Sequence, residues 1–367
     1  MKNLVNPNLL ELMPYKPGKP VEELQRTYNL KRIVKLASNE NPFEIPDNVK
    51  NVIREEISNI STYPCSDSYY LRNAIAEKFN LTIDNVMVGA GSVEIIRMIT
   101  RAFLNPGEKV LTSEKTFLMY KIAAVETQGT VSFVEAEMDE DFRFNLSNIK
   151  NKIDDSVKII FITNPNNPTG TTVPGKEIAE FIESVPENIL IVLDNAYEEY
   201  VAPGSDYLTG IEYIKDRKNV IILKTFSKIY GLAGLRIGYA LWHPETLSML
   251  SRVKAPFNVT RIAQKAALES LKSDDFKEKS YELNMKNKTL LLSKLEGLGI
   301  KTIPSETNFL MFFPETDINE LNEKLLKEGV IIRPLRAFGV PEAMRVTIGF
   351  EEDNNFFFNK LKIALGK

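Results

Sequence analysis

Between Val86 and Leu241, short and almost wholly apolar runs alternate with amphipathic stretches, and this alternation limits the fold more than any other feature of the chain. Strands are expected at 86–88, 109–111, 131–134, 157–163, 189–193, 220–223 and 236–241, with helices at 93–103 and 178–185. A strand apolar on both faces needs cover on both faces. The arrangement that supplies it is a mostly parallel sheet between helices, an α/β fold. Such sheets receive ligands beyond the carboxyl ends of their strands.

After about Pro244 the pattern changes to long helical stretches at 244–253, 259–271 and 276–298. Short strands follow at 309–313, 330–333 and 345–348, which suggests a smaller α+β domain. Pro14, Pro17 and Pro20 make a long regular element unexpected in the first forty residues. The division expected is an arm of residues 1–40 that contributes to the small domain and the substrate site, a large domain of 41–250, and a small domain of 251–367.

Composition removes several chemistries. The 367 residues hold one histidine, His243, and one cysteine, Cys65. Zinc sites and Ser-His-Asp triads need imidazoles or thiolates that such a chain lacks, so no metal is expected. A single cysteine also suits a reducing compartment, and no run is apolar for long enough to span a bilayer, so a cytoplasmic protein is expected. A net charge of −3 with scattered Lys and Arg offers no general grip on nucleic acid.

Acid–base work then falls to Lys, Tyr, Asp, Glu or a cofactor, and the unusual residues gather at strand ends. Lys228 follows an apolar run, lies beside Thr225 and Ser227, and has Gly231 and Gly234 close behind. An amine partly withdrawn from water there is a candidate nucleophile, although an isolated lysine after a strand is more often a solvated surface group. Thr225, Ser227 and Arg236 offer two hydroxyls and a fixed cation for a phosphate ester. Gly91 and Ser92 open a helix, whose free N–H groups attract anions. Asp194 ends five apolar residues, where a carboxylate is costly unless a cation meets it. A protonated pyridine nitrogen is such a cation, and its charge is what makes pyridoxal 5′-phosphate an electron sink. Asn167 and Tyr197 could hydrogen-bond the ring oxygen of the same molecule, though Asn-Pro-Thr-Gly is also ordinary turn chemistry. The residue pattern therefore suggests a cofactor held as a Schiff base by Lys228. Gly89-Ala90-Gly91 alone is weak support for the rival reading, a dinucleotide-binding dehydrogenase.

Together, Asn167 before Pro168-Thr169-Gly170, the Asp194-x-x-Tyr197 unit, and Ser227-Lys228 followed by Arg236 resemble the fold-type I pyridoxal-phosphate aminotransferases over nearly the whole chain. That resemblance implies an aromatic ring, Phe117, over the cofactor. It also implies a homodimer in which Tyr63 reaches the phosphate of the neighbouring site. Pro14-Tyr15-Lys16-Pro17-Gly18, Leu36-Ala37-Ser38-Asn39-Glu40-Asn41-Pro42 and Met344-Arg345-Val346-Thr347-Ile348-Gly349 are similar to the histidinol-phosphate aminotransferase subfamily. The subfamily resemblance implies transfer of an amino group between L-histidinol phosphate and 2-oxoglutarate, giving imidazole acetol phosphate and glutamate in histidine biosynthesis. It puts Tyr15, Asn39, Asn167, Arg333 and Arg345 on the substrate. Independently, Arg333 and Arg345 on short strands suit bidentate recognition of an anion. Val93, Asn195, Lys115, Glu44 and Phe350 depart from the subfamily's usual residues without removing a cofactor ligand. Aromatic amino acids and O-phosphothreonine, the latter for decarboxylation, remain alternative substrates.

Overall fold

A computed structural model of the chain describes residues 4–5, 7–12, 19–128 and 133–367. The strands in chain order are β1 (Val34–Lys35), β2 (Val86–Gly89), β3 (Lys109–Ser113), β4 (Phe133–Ala136), β5 (Val157–Thr163), β6 (Leu190–Asp194), β7 (Val220–Thr225), β8 (Gly238–Leu241), β9 (Lys301–Ile303), β10 (Phe309–Phe313), β11 (Val330–Ile331), β12 (Arg333–Pro334) and β13 (Met344–Thr347).

Seven of them form the main sheet in the order β2-β8-β7-β6-β5-β3-β4. β8 runs antiparallel to both β2 and β7, and every other pair is parallel. Why the strands are apolar throughout is plain from β5. Ile159 and Phe161 enter one core with Ile95, Ile96 and Ile99 of the helix Ser92–Phe103. Ile160 and Ile162 enter the other, with Ile178, Phe181 and Ile182 of the helix Gly175–Ser184. Successive side chains point to opposite faces, so two cores demand two apolar faces. Each fully buried side chain of this size contributes roughly 1.5–3 kcal/mol on leaving water, enough to fix the register of the central strands.

A four-stranded antiparallel sheet, β12-β13-β10-β9, has its own core with Leu291 and Leu295 of the helix Asp274–Glu296 and Phe357 and Leu361 of the helix Glu351–Leu365. β1 pairs in parallel with β11, which stitches the start of the chain to this part. The helix Arg261–Ser270, in contrast, packs Ala263, Ala266 and Ala267 into the main-sheet core. Among the described residues, no helix is long and apolar enough to cross a membrane.

Several expectations shift. Arg236 has φ +52° and sits in the left-handed region, so the strand expected from 236 begins at Gly238 instead. The expected strand 330–333 divides between two sheets, with Val330–Ile331 facing β1 and Arg333–Pro334 facing β13. The strand expected at 131–134 begins outside the described residues and is seen at Phe133–Ala136. In the proline-rich start, a helix forms at Val21–Tyr28 directly after Pro20 and buries Leu24. A proline at a helix entrance costs no hydrogen bond, which is why it did not prevent this one. β9 was not expected at all.

Candidate functional site

β5 and β6 end level with each other, Thr163 paired with Asp194, and β7 ends beside them at Thr225. Beyond these ends lies a cavity of about 190 Å³ lined by Thr163, Asp194, Thr225, Ser227 and Lys228 from the main sheet, and by Ser38, Asn39, Arg333 and Arg345 from the opposite side. This is the position at which parallel sheets receive ligands.

One end of the cavity is built for an anion. Gly91 caps the helix Ser92–Phe103, whose first N–H groups lack helical partners. Gly91 has φ +78°, and a Cβ there would lie 2.7 Å from Arg236 Nη2, so only glycine lets the guanidinium come this close. Gly238 is needed for a similar reason: a Cβ would lie 2.8 Å from Ser92 N and 2.9 Å from Lys224 O. Arg236 Nη1 donates to Ser227 Oγ at 3.4 Å, and Ser227 N donates to Thr225 Oγ1 at 3.1 Å. Ser92, Thr225, Ser227 and Arg236 thus converge where the sequence expects a phosphate.

Asp194 is 2% exposed. Its Oδ2 accepts from Tyr120 Oη at 2.7 Å and its Oδ1 from Ala196 N at 3.2 Å. Both donors are neutral. Burial pushes its carboxyl up to about 6, against the pull of the Tyr120 hydroxyl, the Ala196 N–H and the Lys228 charge. A carboxylate held this way, facing a cavity, suits a cationic ligand atom.

The remaining polar groups have directions that can be deduced. Asn39 Nδ2 donates to Tyr197 Oη at 2.9 Å, which leaves the Tyr197 proton for another acceptor. Arg345 Nη1 donates to Asn167 Oδ1, so the amide NH₂ of Asn167 is the part left to face the cavity. Phenol and amide therefore both present donors, as a phenolate oxygen requires. Lys228 Nζ donates to Ser38 O and Asn39 O, each at 3.3 Å, and lies 5.4 Å from the centroid of the Tyr197 ring. Phe117 lines the cavity and packs edge-on against Tyr120. This donor set fits a flat aromatic ring with a protonated nitrogen at one edge, an oxyanion at another and a phosphate at its far end.

The far wall carries Arg333 and Arg345, which are partners across β12 and β13. Arg345 Nη2 donates to Ala37 O at 3.0 Å, and both guanidiniums lie within 6 Å of the Phe338 ring, at 5.6 and 5.8 Å. Arg336 is exposed.

Two expected residues stand apart. Tyr63 is 77% exposed, stacks on Phe257 at 4.4 Å, and is not among the residues lining the cavity. Tyr15 lies outside the described residues. In the other direction, sequence reading missed Tyr120, Thr163, Asn166 and Phe338. Thr163 carries a faint signal as the polar end of an apolar strand, whereas Tyr120 carries none and stands in a helix, Met119–Gln128, that is not among the expected elements. Among the described residues, no group of three or more His, Cys, Asp or Glu side chains is placed to hold a metal.

The sequence profile of the class I and II aminotransferases matches residues 31–358. A histidinol-phosphate aminotransferase of Anaeromyxobacter sp. (strain Fw109-5) is 41% identical over 365 residues, covering 99% of either chain. One from Moorella thermoacetica is 40% identical, covering 97% of this chain and 92% of its own. In structure, the chain is similar to the Sinorhizobium meliloti histidinol-phosphate aminotransferase in complex with pyridoxal-5′-phosphate, with a TM-score of 0.88, 25% identity, and coverage of 99% and 97%.

Proposed function

This chain belongs to the class I and II aminotransferases, and from that premise we propose that it moves the amino group of L-histidinol phosphate to 2-oxoglutarate, using pyridoxal 5′-phosphate, in histidine biosynthesis. The observation that carries the proposal is one cavity lined both by Lys228 and Asp194 of the main-sheet part and by Arg333 and Arg345 of the small sheet. The similarity to relatives that bear the histidinol-phosphate name supports the substrate.

When bound, the cofactor supplies the electron sink that makes loss of a proton from the amine-bearing carbon feasible. The chain's own residues do the rest. Lys228 Nζ would hold the cofactor covalently and, once free, would serve as the base that moves the proton at the substrate's amine-bearing carbon. Asp194 keeps the ring nitrogen protonated. Asn167 and Tyr197 donate to the ring oxygen, and Phe117 covers the ring face. Gly91, Ser92, Thr225, Ser227 and Arg236 grip the phosphate. Arg333 and Arg345, with Asn39 and Tyr15, hold the substrate phosphate in one half-reaction and a glutamate carboxylate in the other, since a planar guanidinium pairs bidentately with either.

The proposal includes a cytoplasmic homodimer in which Tyr63 completes the partner's phosphate site. The exposure of Ile57, Ile60, Tyr63, Tyr69 and Tyr70 within one short stretch supports it, because a solitary chain would leave that apolar surface in water. A large domain of 41–250, a small domain of 251–367 and an arm of 1–40 belong to the same reading. The distinct cores of the main sheet and of the small sheet support two domains, with the helix Arg261–Ser270 packed into the main-sheet core and Leu24 and Ala37 of the arm packed with Leu326 and Ile331 of the small domain.

Turnover of L-histidinol phosphate, L-phenylalanine and O-phosphothreonine by the same preparation tests the proposal. We expect kcat/KM for histidinol phosphate to lead that for phenylalanine by at least about tenfold, because its phosphate offers the guanidiniums a more highly charged partner than a carboxylate does, and we expect O-phosphothreonine, which carries both anions, to release no carbon dioxide. Preference for phenylalanine, or loss of carbon dioxide from O-phosphothreonine, would overturn the substrate assignment.

A further inference from the structure

We propose that Tyr120 and Thr163 are positioning residues: a hydrogen-bond chain running Thr163 to Tyr120 to Asp194 orients the Asp194 carboxylate and holds it ionised towards the cofactor ring. The inference rests on the reading above of Asp194 as the partner of the ring nitrogen, and it adds two residues that make no cofactor contact in that reading.

The polarity of the chain follows from counting protons. Asn166 Nδ2 donates to Lys115 O and to Thr169 Oγ1, each at 2.9 Å, so its Oδ1 is an acceptor. Thr116 Oγ1, 2.8 Å from that oxygen, must spend its one proton there. At the other end an ionised Asp194 can only accept, so the Tyr120 hydroxyl, 2.7 Å from Oδ2, spends its proton on the carboxylate. Tyr120 Oη also lies 2.7 Å from Thr163 Oγ1. Two oxygens at that separation need a proton between them, and Tyr120 has none left. Thr163 therefore donates to Tyr120. The contact left without a proton is Thr116 to Thr163, and it is the long one, at 3.2 Å.

Reversing the chain requires a proton on Asp194, so its direction is tied to the charge of that carboxylate. Donors aligned head to tail polarise one another, which strengthens the last bond, the one to the anion. Packing keeps the geometry. Tyr120 has no exposed surface, and its ring stacks on Phe161 with centroids 4.4 Å apart and planes 8° from parallel. Thr163 is also buried, on the last residue of β5. The titratable groups that act on Asp194 or feel its charge are Tyr120, Lys228, Tyr197 at one remove, and Tyr207.

Tyr120→Phe removes one hydroxyl and leaves the stack on Phe161 intact. The test is a set of holoenzyme preparations, wild type, Tyr120→Phe, Thr163→Val and Thr163→Ser, each loaded with pyridoxal 5′-phosphate. For each, the pH midpoint of the visible absorption band is measured, with kcat and KM for L-histidinol phosphate and 2-oxoglutarate, and thermal stability. Weakening the Asp194 charge weakens the protonated ring nitrogen, which then draws less electron density from the Lys228 nitrogen. The band midpoint should rise by about half a unit to one unit in Tyr120→Phe, and kcat should fall about tenfold with KM within about twofold of wild type. Thr163→Val should move both in the same direction by less, and Thr163→Ser should restore them. A lower melting temperature in Tyr120→Phe with an unmoved band and unchanged kcat would make the tyrosine purely structural and overturn the chain. A wild type that develops no band overturns the site reading itself, and the chain with it.

Discussion

Asp194 combines two opposed demands in one side chain. Buried at 2% exposure, its carboxyl is pushed up to about 6, from an ordinary value near 3.8. A raised carboxyl binds its proton more tightly in the folded chain than in the unfolded one. The contribution of Asp194 to stability is therefore fully present below about pH 4, is lost as pH climbs towards 6, and stays lost above that. The difference of two units amounts to roughly 3 kcal/mol. Cofactor-stripped Asp194→Asn should accordingly be more stable than cofactor-stripped wild type at pH 8, with the advantage shrinking to nothing near pH 4. Denaturant midpoints across that range check it. The loaded enzyme should show the opposite ranking, since the ring nitrogen then meets the charge. Strain of this kind is the ordinary cost of a site whose charge waits for a ligand.

At the scale of elements, the site is held by connections between strand ends, and Lys224 is the clearest of them. It stands one residue before Thr225 on β7, with its side chain on the opposite face of the strand and only 2% exposed. Its Nζ pairs with Glu198 and, at 3.2 Å, with Glu199, the two residues that follow Tyr197. One buried ion pair thus ties the strand that leads to Lys228 to the turn that carries Tyr197. Lys224→Met would remove the cation that Glu198 and Glu199 share, leaving the charges of Lys78 and Lys277 to act on Glu199, at a cost of about 3–5 kcal/mol. Urea unfolding should show that loss, and Lys224→Met combined with Glu198→Gln and Glu199→Gln should recover much of it. Equal stability of the single variant and wild type would mean that the pair does not tie these elements.

How much of this was legible beforehand differs by element for physical reasons. β5, β6 and β7 are written in uninterrupted apolar runs because both faces are covered, and the polar residues at their ends stood out against that background. β8 was extended too far because Arg236 takes a left-handed conformation that its side chain does not announce. The helix at Val21–Tyr28 has little sequence signature because prolines usually break helices, whereas Pro20 stands at the entrance of this one. Tyr120 was invisible because its helix, Met119–Gln128, was not itself expected and no neighbouring residue marks it out. Only the fold brings its hydroxyl, from the helix after Phe117, to the ends of β5 and β6. Long-range pairing of this kind has no local signature.

On the scale of the whole molecule, the arm, the main sheet and the small sheet meet around one cavity. Asn39 near the start of the chain donates to Tyr197 of the main sheet and receives a bond from Thr347 of β13. Tyr63, by contrast, is exposed and is not among the residues lining its own cavity, and in the proposed homodimer it would serve the partner's site. The mixing of two inactive variants tests that role. Lys228→Ala and Tyr63→Ala chains, exchanged at equal amounts, should recover about a quarter of wild-type activity, because about half the dimers are mixed and each mixed dimer keeps one intact site. No recovery, with mixed dimers shown to form, would put Tyr63 on its own chain's cofactor, and a Tyr63→Ala homodimer as active as wild type would put it on none.

The central claim is that Lys228 is the lysine that bears the cofactor, and borohydride reduction followed by peptide mapping tests it most directly. The protein loaded with pyridoxal 5′-phosphate should lose its visible band on reduction and carry the reduced cofactor on the peptide containing Thr225-Phe226-Ser227-Lys228, while Lys228→Ala should carry none. Label on another lysine, such as the buried Lys224, or label that persists in Lys228→Ala, would contradict the account.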